Sequence, residues 1–203
     1  MPFHVRLSDY PVPRRTSAMR EAHWQYLDQQ ADHIIARGPT QSDDGTVMRS
    51  SLFFVDFADR AAVERFVAEE PTNRAGAYMS VEILGWVNAL GRRQSDFPRK
   101  EGQVYWYIRG DAKPDAHLRR EALLEAHKAY LKPYEAEHFI ARGSLRNDAG
   151  QWIGSVNLIA LPDRKTAEVF AADEPFCKNG LFKRVVIERF KPGGPPIKSI
   201  TGL

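Results

Sequence analysis

Apolar and polar positions change period several times along the chain, and each change marks an element. PFHVRLSD (2–9) alternates apolar with polar residues, as a half-buried strand does, before Pro11 and Pro13 interrupt it. From Thr16 to about Ala31, residues Met19, His23, Tyr26, Leu27 and Gln30 recur at steps of three and four, which places them on one helix face. HIIARGPT (33–40) predicts a short strand ended by Gly38-Pro39, and Ser42-Asp43-Asp44-Gly45 predicts a turn. MRSSLFFVDFA (48–58) is apolar enough for a central strand, and Asp59 is an N-cap candidate for a second helix that Pro71 closes. After a turn at Gly76, AYMSVEILGWV (77–87) reads as the last strand. The order β-α-β-β-α-β is that of a ferredoxin-like unit.

The same order then recurs. His23 and His127 are 104 positions apart, as are Leu27 and Leu131, Glu70-Pro71 and Glu174-Pro175, and Gly76 and Gly180. HIIARG (33–38) returns as HFIARG (138–143) at an offset of 105, so the second copy carries one inserted residue. The chain therefore divides into a first domain (1–90), a polar linker GRRQSDFPRKEG (91–102), a second domain (103–190) and a Pro/Gly-rich tail (191–203) expected to be an extended arm. In each unit the helices cover one sheet face and leave the other apolar, and such a face must be buried. Two units in one chain can pack these open faces on each other, so the expected fold is α+β: two ferredoxin-like βαββαβ repeats, sheet to sheet, as a pseudo-dimeric α/β barrel.

Composition narrows the function. The net charge of +3 is spread over interleaved acids and bases without a basic stripe, which argues against a nucleic-acid partner. No apolar run approaches membrane-spanning length and the N-terminus lacks the apolar core of a signal peptide, so the expected location is cytoplasmic. The single cysteine, Cys177, cannot form an intramolecular disulfide, and with Asn73 at the matching position of the first copy it is no shared nucleophile. Nothing resembles a phosphate-cradling glycine loop, and no cofactor is expected.

The repeated segments carry a family resemblance. REAHWQYL (20–27), ARGPT (36–40), AEEPTNRAGAY (68–78) and VEILGW (81–86), answered by LEAHKAYL (124–131), ARGSL (141–145), ADEPFCKNGLF (172–182) and VVIERF (185–190), resemble the YciI-like, or YCII-related, domain over nearly all of both halves. The resemblance implies a dimeric α/β-barrel fold and an active-site dyad of a histidine with the acid preceding a proline. Carried over, these are His23 with Glu70 and His127 with Glu174; the family usually has Asp where both copies here have Glu, and the second copy has Gly143-Ser144 for Gly-Pro. The resemblance also implies elimination of the dehydrochlorinase type on a hydroxylated ring, and similar barrels host lactone isomerases and quinone-forming monooxygenases.

Physically, a carboxylate that accepts one ring N–H fixes the imidazole tautomer and raises its basicity, so such a pair can move protons without a metal or organic cofactor. Two readings stay open: a cofactor-independent lyase or isomerase acting on a small cyclic or aromatic metabolite, and a non-catalytic small-molecule-binding domain whose histidines are structural. His33 and His138 recur at the start of the second strand and are candidates for contacting a substrate oxygen. Arg37 and Arg142 are candidates for binding a carboxylate, and Trp24, replaced by Lys128 in the second copy, for stacking. A metal would need three converging ligands, and the histidine spacing is no recognised ligand pattern, so none is expected. The pseudo-dimer leaves room for a further homodimer.

Overall fold

The computed structural model describes residues 1–11, 14–100 and 102–194. The first half contains β1 (Pro2–Asp9), α1 (Ser17–Gln29), β2 (Ile34–Gln41), β3 (Met48–Asp56), α2 (Arg60–Glu69), a one-turn α3 (Pro71–Arg74) and β4 (Tyr78–Asn88). The second repeats it as β5 (Tyr105–Ala112), α4 (Ala116–Leu131), β6 (Phe139–Arg146), β7 (Trp152–Ala160), α5 (Arg164–Asp173), α6 (Pro175–Lys178) and β8 (Phe182–Phe190). The eight strands close into one antiparallel barrel in the order β1-β3-β2-β8-β5-β7-β6-β4. Two joints connect the halves: Gly85 to Asn88 pair with Arg146 to Gly143, and Thr40-Gln41 with Phe190-Arg189.

Strand alternation decides which side chains point where. Phe3, Val5 and Leu7 pack outward with Phe53, Val55 and the helix residues Leu27, Val63 and Phe66. Leu52, Phe54, Trp86, Tyr107, Ile140, Val156 and Leu158 pack together in a separate central core. On the alternate positions of β1 and β5, His4 meets Tyr107 (Nε2 to Oη 3.2 Å) beyond these residues. There Arg6 forks onto Glu188 at 3.0 Å through both oxygens, and Arg109 contacts Glu82 and, at 2.7 Å, Asp111. Burial, then the charges of Arg109 and Arg6, hold the His4 imidazole well below the usual histidine range.

Two local expectations are corrected and a third is extended. Strand β2 does not stop at Gly38-Pro39 but runs to Gln41, because the neighbouring chain needs only carbonyls there: Lys191 N–H donates to Pro39 O (3.0 Å) and Gly193 N–H to Arg37 O (2.8 Å). A Cβ on Gly38 would overlap the Lys191 carbonyl, which is why this position is glycine. Pro71 closes α2 as expected, since the residue before it, Glu70, leaves helical geometry, and it then starts the short α3 as its first residue, a position where its missing N–H costs nothing. The interdomain segment is more than a tether, since Phe97 is fully buried in the central core and Arg93 donates to the carbonyls of Ala31, Asp32 and Ile34. Of the expected tail arm, residues 191–194 lie along β2, and 195–203 fall outside the described residues. Among the described residues no helix is long and apolar enough to cross a membrane.

Candidate active site in the first half

The junction between α2 and α3 fixes the first histidine–acid pair. Glu70 closes α2 and caps α3: its carboxylate accepts the N–H of Thr72 (2.9 Å) and of Asn73 (2.7 Å). The same carboxylate accepts the Nδ1–H of His23, one helix away on α1, at 2.8 Å. Burial alone would push the Glu70 carboxyl up. The bond from His23, the two backbone N–H groups and the attraction of the imidazole outweigh it, and the group sits below the usual carboxylate range. An ionised Glu70 puts the ring proton on Nδ1 and leaves Nε2 as the basic nitrogen, which has no hydrogen-bond partner among the described residues.

The second half repeats these bonds. His127 Nδ1 lies 2.6 Å from Glu174, which accepts the N–H of Phe176 (3.0 Å) and Cys177 (3.1 Å).

What surrounds the two pairs differs. His23 borders a cavity of about 440 Å³, walled by Leu27, Pro39, Met48, Phe53 and Trp24 and by Arg15, Arg20, Arg37 and Lys191. That is the size range of small-molecule sites. Beside His127 the space is about 20 Å³, enough for one water. Aromatic residues occupy the rest: the His127 ring lies flat on Phe176, centroids 4.1 Å apart, and Trp152 and Phe182 pack against Phe176. At the matching positions the first half has Thr72, Met48 and Tyr78.

The YCII-related domain matches residues 3–87 and again 104–191. The chain belongs to this family, as a tandem of two copies. No curated protein matches it. Among solved structures, 5-chloro-2-hydroxyhydroquinone dehydrochlorinase from Burkholderia phenoliruptrix, in complex with 2,5-dihydroxybenzoquinone, is 26% identical over 43% of this chain and 93% of its own, with a TM-score of 0.39. A mutant chlorite dismutase from Candidatus Nitrospira defluvii, in complex with cyanide, is 11% identical (94% and 91% covered, TM-score 0.59), and a heme-binding protein from Thermus thermophilus is 14% identical (93% and 90%, TM-score 0.51). At such identities the latter two report the shared barrel only.

Within the YCII-related tandem the other sequence-predicted residues separate. Trp24 and Arg37 line the open cavity, Trp24 with half its surface exposed, while Arg37 is held by Asp28 at 2.7 Å. Arg142 instead pairs with Glu135 and sits over Phe139, away from His127. His33 and His138 use Nδ1 to hold strand-end carbonyls, Asp56 O and Ala160 O, both at 3.0 Å, and neither lines the cavity beside His23. These bonds tie the start of β2 to the end of β3 and the start of β6 to the end of β7. Burial, then Glu174, raises the Cys177 thiol, which is thereby disfavoured as a thiolate. Among the described residues no three His, Cys, Asp or Glu side chains converge as metal ligands.

Sequence reasoning missed the polar network behind the cavity, of which Arg15 and Ser51 line it. Arg15 forks onto Asp9 (Nε to Oδ1 2.9 Å, Nη2 to Oδ2 2.7 Å) and reaches Ser51 Oγ at 3.3 Å, while the Tyr78 hydroxyl also donates to Ser51 (3.2 Å). Desolvation keeps Asp9 above the usual carboxylate range in spite of Arg15 and His23. Asp9 pairs with Tyr78 where Ala112 pairs with Phe182, so this polar network has no second-half counterpart to draw the eye.

Proposed function

We propose that the protein is a cofactor-independent general acid/base enzyme with one working site, at His23 in the first half, acting on a small hydroxylated cyclic or aromatic molecule. The observation that carries this reading is an oriented imidazole, Nδ1 tied to Glu70 at 2.8 Å, bordering about 440 Å³ of ring-sized space with its Nε2 unbonded among the described residues. Nε2 takes a proton from an acidified carbon or ring hydroxyl, Glu70 stabilises the imidazolium that forms, and return of the proton at another atom, or loss of a leaving group, completes isomerisation or elimination. His127 and Glu174 serve the fold, because the aromatic packing leaves no room for a substrate beside them. The reading of the histidines as structural thus applies to the second half, where Phe176 covers the ring.

The test is turnover and solvent-deuterium incorporation, followed by NMR, over a panel of hydroxylated aromatics and lactones. With a substrate found, His23→Gln is expected to lower turnover by about two to four orders of magnitude, as loss of a general base does, and His127→Gln to leave it unchanged. Equal loss in both variants, or in neither, would overturn the assignment.

A further inference from the structure

We infer that the first-half site is selective for a ring compound bearing a carboxylate, and that Arg20 and Lys191 are the residues that select it. The inference rests on the reading of the His23 cavity as the working site and adds its substrate class.

The cavity wall contains four cationic side chains, Arg15, Arg20, Arg37 and Lys191, and no aspartate or glutamate. Asp9 pairs with Arg15 and Asp28 with Arg37, while the ionised Glu70 behind His23 is held by three N–H donors, so 4 − 2 leaves two wall cations without an ion-pair partner. These are Arg20, whose guanidinium reaches only the Ser17 hydroxyl (3.1 Å), and Lys191, and neither makes an ion pair among the described residues. Both side chains are solvent-exposed at the cleft, where charge of one sign concentrates ligands of the other in a salt-dependent way. Leu27, Met48, Phe53 and Trp24 supply apolar wall for a ring, which leaves an acidic substituent to meet the two cations.

The second half provides an internal control. By the repeat offset, Arg20 corresponds to Leu124 (20 + 104) and Lys191 to Val87 (191 − 104). Leu124 packs against the aromatic cluster that fills the closed site, and Val87 pairs with Ser144 much as Lys191 hydrogen-bonds Pro39. The fold therefore needs neither cation, and both occur only where there is an open cavity. Lys191 also arrives on the strand end of the opposite half, anchored by its N–H on Pro39 O and by Gly193, whose carbonyl accepts from Gln94 Nε2 (2.8 Å). Each half thus contributes one of the two cations to a single site, as partner subunits do across a dimer.

The experiment is titration of the full chain with benzoate, its neutral isostere benzamide and phenyl phosphate, read by Trp24 fluorescence; Trp86, Trp106 and Trp152 are buried, and Trp24→Phe identifies the reporting residue. Benzoate is expected to bind at least tenfold more tightly than benzamide, a difference of about 1.4 kcal/mol. That preference should shrink as salt is added. In the double variant Arg20→Leu with Lys191→Val, which installs residues the fold already accepts at those positions, it should vanish while benzamide affinity stays unchanged. Equal affinity for the acid and the amide in the parent chain, or a preference that survives in the double variant, would overturn the inference. Tighter binding of phenyl phosphate than of benzoate would overturn the carboxylate assignment. If no ring compound perturbs Trp24 at millimolar concentration, the cavity reading itself fails and this inference with it, whereas binding without acid preference removes this inference alone.

Discussion

Replacing Glu70 by alanine removes three hydrogen bonds at once, and their separate values set the expected loss. The carboxylate is fully buried. Capping of Thr72 and Asn73 is worth about 1 kcal/mol, the usual effect of deleting an N-cap side chain. The charge-assisted bond from His23 adds roughly 1.5–3 kcal/mol, since a partly buried ring N–H then has no acceptor. Together with the space left by the lost methylenes, Glu70→Ala should cost about 3–4 kcal/mol. His23→Ala deletes one of the three bonds and leaves the cap intact, so roughly 1.5–3 kcal/mol is expected. Urea unfolding followed by circular dichroism and fluorescence, with unchanged slopes, measures both.

The pH dependence provides a second arm. Because the folded-state pKa of Glu70 is depressed, its stabilisation is complete above the unfolded value, about 4.3, and is lost as pH falls through the lower folded value. The gap between the parent protein and Glu70→Ala should therefore narrow only in acid. If Glu70→Ala costs no more than His23→Ala, or if the gap narrows already at neutral pH, the carboxylate does not hold both the cap and the ring, and the orientation argument for Nε2 falls with it.

Two further outcomes follow from the barrel interior. The folded-state pKa of His4 lies well below its unfolded value of about 6.5, so the unfolded chain binds a proton that the folded one refuses; stability falls as pH drops below 6.5, by at most about 1.36 kcal/mol per pH unit, and chemical denaturation of His4→Phe between pH 7 and 5 should show a flatter dependence than the parent. Phe97→Ala empties a fully buried site in the central core and should cost about 3–5 kcal/mol by thermal or urea unfolding, whereas a segment that merely tethers the halves would tolerate it with little change.

The barrel and both histidine–acid pairs were legible because the chain states them twice: an element or contact required by both halves leaves its residues at a constant offset. His23 with Glu70 and His127 with Glu174 fall in this class, and the structure gives them matching bonds. His33 and His138 recur with the same regularity, and each holds a strand-end carbonyl in its half. Phe97, alone in a charged segment, has no periodic neighbours to mark it as core. Arg142 repeats Arg37 in sequence, yet Lys132 stands where Asp28 holds Arg37, and Arg142 pairs with Glu135 instead. Residues that occur once, such as Arg20, Met48 and Lys191, line the cavity, so a reading guided by repeats finds the scaffold more readily than the site.

That division has a physical basis in the covalent duplication. In a dimer of identical chains every substitution appears on both sides, so an open cavity opens twice and a filled one fills twice. One chain carrying both halves escapes this constraint. Phe176 is fully buried and Trp152 nearly so, and side chains of this size in a core each contribute on the order of 3–5 kcal/mol relative to alanine. An open, cation-lined cavity in the first half forgoes such packing around His23. Because the strands of both halves close one continuous barrel, stability gained by filling the second site supports the first through the shared sheet. Opening the second site by Phe176→Thr and Trp152→Met, the residues at the matching first-half positions, should accordingly lower the stability of the whole barrel and not of the second half alone.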